Sequence, residues 1–267
     1  MMEAELIVSF IVLGTIVGFL AGLLGIGGGL VMVPVLTSLF VWQGLPSESV
    51  VHLALGTSMA SIVVTSISSM RAHHKKAGVL WDVVKLISPG ILVGAFLATF
   101  LASVLSSVFL AIFFACFLVF ASTQMFLNKK PKPSRMLPGA GGLFAAGGII
   151  GSISALVSIG GGTITVPYLS WHNVDVKKAI GTSAAIGLPI SVAGTIGYMV
   201  NGLSAGLDIP YVFGFVYLPG VVLISVMSFM MAPVGAHAAH KLPVPILKKV
   251  FAVLLLGLAL KMISSVI

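Results

Sequence analysis

Gly25-Ile26-Gly27-Gly28-Gly29-Leu30-Val31-Met32-Val33-Pro34 is echoed further along the chain by Ser158-Ile159-Gly160-Gly161-Gly162-Thr163-Ile164-Thr165-Val166-Pro167. Each stretch interrupts one apolar run and opens another. Downstream, Ala54-Leu55-Gly56-Thr57-Ser58 is echoed by Ala179-Ile180-Gly181-Thr182-Ser183, in the same order and at similar spacing, and Pro89-Gly90 finds a match in Pro219-Gly220. The chain therefore reads as a duplication: a first membrane repeat over 1–127, a Lys/Pro-rich cytoplasmic linker over 128–137, and a second membrane repeat over 138–267.

The residues around these motifs fix the solvent. Of the 267 residues, 58% are hydrophobic and only 7% charged, and the mean hydropathy is +1.20. A water-soluble domain carries about a quarter charged residues, so most of this exterior must face hydrocarbon. Backbone polar groups in lipid must be satisfied within the protein, which leaves helices or a closed barrel. A barrel strand alternates apolar and polar residues; the runs here, such as Ile7–Leu24 and Ile91–Leu105, are continuous. The fold class is all-α, polytopic and transmembrane.

The net charge of +8 does not signal nucleic acid, because the basic residues sit in loops between apolar segments, where membrane proteins carry cytoplasmic lysines. A single cysteine, Cys116, permits no internal disulfide and no cysteine-based metal cluster. His237-x-x-His240 has helical spacing but no acidic partner nearby, and it reads, with His73 and His74, as interfacial. There is no HExxH, no GxSxG and no phosphate loop; neither an enzyme, a metal site nor a cofactor is expected. Glu3 and Glu5 stand where a signal peptide carries positive charge, so the first apolar run reads as a retained helix.

A spanning helix needs roughly 20 residues. Apolar segments fall at 5–24, 28–42, 50–70, 84–103, 107–127, 138–157, 160–171, 177–199, 210–232 and 246–266. Those at 28–42 and 160–171 are short and follow the glycine clusters; they read as half-helices or arms of re-entrant hairpins. With ten segments, every lysine and arginine except Lys261 falls on one side of the bilayer, read as cytoplasmic. Five segments per half is an odd number, so the second half enters the membrane in the opposite sense. Inverted repeats with broken helices meeting near the midplane are the architecture of many secondary transporters.

Glycine opens backbone conformations closed to other residues, and a helix start offers unpaired N–H groups and partial positive charge to an anion. The expected substrate site is therefore Gly27, Gly28, Gly29, Thr57 and Ser58 from the first half and Gly160, Gly161, Gly162, Thr163, Thr182 and Ser183 from the second. Pro34 and Pro167 are expected helix breaks. No acidic or basic side chain lies in mid-span, so dipoles rather than a fixed charge would hold the anion.

These motifs, GIGGGLVMVPVL (25–36), ALGTS (54–58), SIGGGTITVPYL (158–169) and AIGTS (179–183), together with PVGAHAAHKLP (233–243), resemble the sulfite exporter TauE/SafE family over nearly the whole chain. The resemblance implies export or exchange of small sulfur-containing anions, such as sulfite, organosulfonates or sulfoacetate, across a bacterial-type inner membrane. Ser158 stands where the first copy has Gly25, which makes equal roles for the two copies doubtful. The other readings are a carrier or channel for another small anion such as a carboxylate, and a non-transporting scaffold subunit that uses its glycines for packing. The expected partners are a small anionic substrate and the lipid bilayer, with proton or sodium coupling and homo-oligomerisation left open.

Overall fold

Continuous apolar sequence gives helices nearly wherever the segments predict them. The structure, a computed structural model, describes residues 4–24, 28–127, 135–239 and 244–266. In chain order it has α1 (Ala4–Leu24), α2 (Gly29–Trp42), α3 (Val50–Lys75), α4 (Trp81–Val104), α5 (Ser107–Leu127), α6 (Ala140–Leu156), α7 (Gly162–Trp171), α8 (Val176–Ser204), a hairpin of β1 (Val212–Phe213) and β2 (Val216–Tyr217), α9 (Leu218–Ala239) and α10 (Val244–Val266). Among the described residues, seven helices are long and apolar enough to cross a membrane, namely α1, α3, α4, α5, α8, α9 and α10. The expected half-helices are α2 and α7, at 14 and 10 residues.

The outer faces of the bundle are apolar, as lipid requires: Leu97, Val104, Val253 and Leu260 are more than half exposed. The inner faces carry small residues that let backbones touch. A Cβ at Gly14 would overlap the Ile224 backbone, one at Gly18 that of Ser228, and one at Gly235 that of Phe19. Helices α1 and α9 therefore lie side by side and run the same way. Helices α4 and α6 do likewise, with Gly90 on Phe144, Gly94 on Gly148 and Gly151 on Ile91. By contrast, α3 and α8 run in opposite directions, since Gly194 meets Met59 and Gly187 meets Ser66. Helices α5 and α10 also oppose: Ser122 Oγ donates to the Ala252 carbonyl at 2.8 Å, and Lys249 Nζ lies 5.8 Å from the Phe126 ring centre. The first helix of each half thus packs on the fourth helix of the other.

Two expectations change. The span at 210–232 begins later, at Leu218, because Gly214, with φ 61°, turns the preceding residues into the β1–β2 hairpin. The hairpin is held by packing: Tyr217 sits between Phe10 and Phe40 at 5.8 and 5.7 Å. The match of Pro89-Gly90 with Pro219-Gly220 does not hold, since Pro219 is the second residue of α9 whereas Pro89 lies well inside α4. The backbone contacts pair Ile87 with Ile224 instead: Gly147 rests on the former carbonyl as Gly14 rests on the latter.

Candidate functional site

Both glycine clusters do what glycine is suited to do. Gly28 and Gly161 are the N-caps of α2 and α7, with φ of 76° and 83°, and neither helix start has a capping side chain. Left-handed backbone at both points is what lets the chain double back: Gly28 lies against Val17 in α1, and Gly161 against Ile186 and Ile190 of α8. The two starts are adjacent. A Cβ at Gly29 would overlap the carbonyl oxygen of Ser158, and one at Gly187 would press on the carbonyl of Gly160. Ser158 itself has φ 45°, and its Oγ donates to the Leu55 carbonyl at 3.1 Å, tying the second cluster to α3. Gly27 lies outside the described residues.

The hydroxyls expected beside the clusters divide into two groups. Ser58, Ser183, Thr163 and Thr165 have buried oxygens without a hydrogen-bond partner among the described residues. Thr57 and Thr182 are engaged: Thr57 Oγ1 accepts the Tyr217 N–H at 3.0 Å, and Thr182 Oγ1 accepts the Leu80 N–H at 2.9 Å. Each threonine thus holds the residue that leads into the other half's fourth helix, α9 in one case and α4 in the other. Gly56 and Gly181 serve the same joint, since a Cβ there would overlap the carbonyls of Phe215 and Gly78. Pro34 and Pro167 lie inside α2 and α7.

A cavity of about 120 Å³ meets the second glycine cluster at Gly160. Its most polar wall is α3, which contributes Thr65, Ser66, Ser68, Ser69 and, from its last turn, His73. Thr65 is anchored, its Oγ1 donating to the Ser61 carbonyl and lying 3.2 Å from Ser228 Oγ. Ala21 and Gly22 of α1, Ala184 of α8, and Ala232 and Pro233 of α9 complete the walls. These residues place the cavity toward the end where α3 finishes in His73, His74 and Lys75 and where α8 begins beside Lys177 and Lys178. Gly160 is the one expected site residue among the described lining residues. The serines of α3 were missed, although Thr65-Ser66 and Ser68-Ser69 are an unusual density of hydroxyls for a spanning helix. His73 belongs to the last turn of α3 rather than to a loop.

The opposite end of the bundle is packed. Tyr198 of α8 is fully buried, and its hydroxyl donates to the Ala155 carbonyl at 3.0 Å. Asn201 Nδ2 donates to Thr99 Oγ1 at 3.1 Å and to the Gly197 carbonyl at 2.7 Å, and Met59 fills the space at Gly194.

Residues 10–262 match the sulfite exporter TauE/SafE family. The chain belongs to that family. A probable membrane transporter protein of Haemophilus influenzae is 37% identical over 253 residues, covering 94% of this chain and 96% of its own length. A probable membrane transporter protein of Methanocaldococcus jannaschii is 28% identical, with 84% and 80% covered. The Bacillus subtilis protein YunE, also a probable membrane transporter, is 27% identical, with 73% and 79% covered. No solved structure matches. This TauE/SafE chain is thus an integral, multi-pass membrane transporter.

Proposed function

We propose that the protein is a secondary transporter that moves a small sulfur-containing anion, of the sulfite, organosulfonate or sulfoacetate type, across the inner membrane by alternating access between two inverted repeats, 1–127 and 138–267, joined by the linker at 128–137. The observation that carries this reading is the cavity itself. It combines serine hydroxyls with Gly160, which precedes the N-cap of α7, and its described lining residues carry no formal charge apart from the titratable histidine His73. Hydroxyl and N–H donors around a desolvated space suit an oxyanion, and about 120 Å³ accommodates a few heavy atoms with attendant water.

The inverted arrangement is supported by helix direction. Helices α3 and α8 oppose, as do α5 and α10, while α1 runs with α9 and α4 runs with α6. Such a pair of halves has two conformations related by a pseudo-twofold axis in the membrane plane. A cavity at the basic end with tight packing at the other is what one of them would look like. The substrate residues in this reading are Gly28, Gly29, Gly160, Gly161, Gly162, Thr163, Ser58 and Ser183 around the helix starts, joined by Ser66, Ser68 and Ser69 of α3.

The test is flux in proteoliposomes. Uptake or exchange of sulfite or a sulfonate, competed by its congeners, is the expected result. Competition by carboxylates alone would reassign the substrate, and an absence of flux for the whole panel would favour a scaffold.

A further inference from the structure

The two ends share one backbone joint. At the packed end, the Tyr198 carbonyl accepts the Phe215 N–H at 3.1 Å, and two residues on, the Tyr217 N–H reaches Thr57. At the cavity end, the His73 carbonyl accepts the Gly78 N–H at 3.0 Å, and two residues on, the Leu80 N–H reaches Thr182. His73 therefore occupies in α3 the place that Tyr198 occupies in α8. A second register comes from the N-caps: with Gly28 set against Gly161, Gly22 of α1 takes the place of Ala155 of α6. Gly14 on Ile224 and Gly147 on Ile87 obey the same register.

At the packed end these two places are joined, since the Tyr198 hydroxyl donates to the Ala155 carbonyl. At the other end their counterparts, His73 and Gly22, both line the cavity, and the structure records no such bond between them. We propose that His73 is the gate of this cavity, closing it by donating a ring N–H to the Gly22 carbonyl when the opposite end opens and the Tyr198–Ala155 bond breaks. This rests on the alternating-access reading. The side chains are suited to the exchange. Imidazole is shorter than phenol, and glycine in place of alanine lets the shorter donor approach the main chain. A neutral imidazole has the single N–H the bond needs, and two equal hydrogen bonds traded between the ends would leave neither state much favoured.

The test needs no substrate. In protein carrying Cys116→Ser and Ala184→Cys, the rates at which an impermeant maleimide labels residue 184 from the two membrane faces are measured, and their ratio tracks the ratio of the two open states. Tyr198→Phe should lower the basic-end to opposite-end ratio roughly five-fold, and His73→Ala should raise it by about the same factor, the size of one net hydrogen bond. His73→Gln, which keeps an N–H donor, should restore the starting ratio, whereas a merely structural histidine would not be rescued. Gly22→Val, which blocks approach, should also raise the ratio and gives a second reading if His73→Ala does not fold. A His73→Ala ratio that is unchanged, or that moves the same way as in Tyr198→Phe, overturns the gate. Failure of the anion panel with these opposite shifts intact would overturn the substrate and leave the gate standing.

Discussion

The end of the molecule around Tyr198 and the end around His73 use the same hydrogen bonds between the same kinds of backbone segment, yet one is solid and the other holds a cavity. What differs is side-chain volume. Where the packed end has Met59 against Gly194, the cavity end has Ala184 and Ser69; where the packed end has Tyr198 over Ala155, the cavity end has His73 and Gly22. The backbone joint is thus the constant part of the fold, and the residues between the joints decide which end admits solute. Substitutions at the joints should damage both ends alike, and substitutions between them should damage one.

The largest effect is expected at the contact common to both ends. Gly29→Val drives a branched side chain into the Ser158 backbone; main chain cannot move aside, and the cost should reach about 3 kcal/mol or more, seen as loss of monodisperse protein in detergent. Next is Tyr198→Ala, which empties the packed end and should lower stability by about 3–5 kcal/mol in thermal unfolding, with little change in the α3 cavity. Thr57→Val and Thr182→Val each orphan a backbone N–H at a joint and should each cost about 1–3 kcal/mol. Equal losses would sharpen the comparison; a loss in only one would break it. The smallest effect is at the α3 wall, where Ser66→Ala and Ser69→Ala should each weaken anion binding by about 1 kcal/mol, roughly five-fold, with melting temperature unchanged.

Much of this was legible in the sequence for one reason: lipid tolerates few backbone solutions. Ten helices follow from ten apolar runs, and the half-helices follow from run length and the glycine clusters. The site was harder to read. Thr57 and Thr182 sit in a repeated motif, and repetition alone does not show that each also holds a backbone N–H at a joint between halves, that of Tyr217 and that of Leu80. Of the α3 serines, Ser66 matches Ser191 of α8, but Ser68 and Ser69 match Ala193 and Gly194, so most of this polar wall lies outside the repeated pattern. The hairpin at 212–217 was invisible because its valines, phenylalanines and tyrosine read as the start of a span.

The crosswise packing of α1 on α9 and of α4 on α6 has a consequence for biogenesis. As the chain emerges from the ribosome, α1 enters the bilayer long before the helix it belongs with exists, and its glycine-lined face must wait, covered only by lipid or by the insertion machinery. Helices α6 and α8 join the two halves earlier, through α4 and α3, but the glycine face of α1 is filled only when α9 arrives. Truncated chains ending before Leu218 should therefore be short-lived in cells, degraded as unassembled membrane proteins.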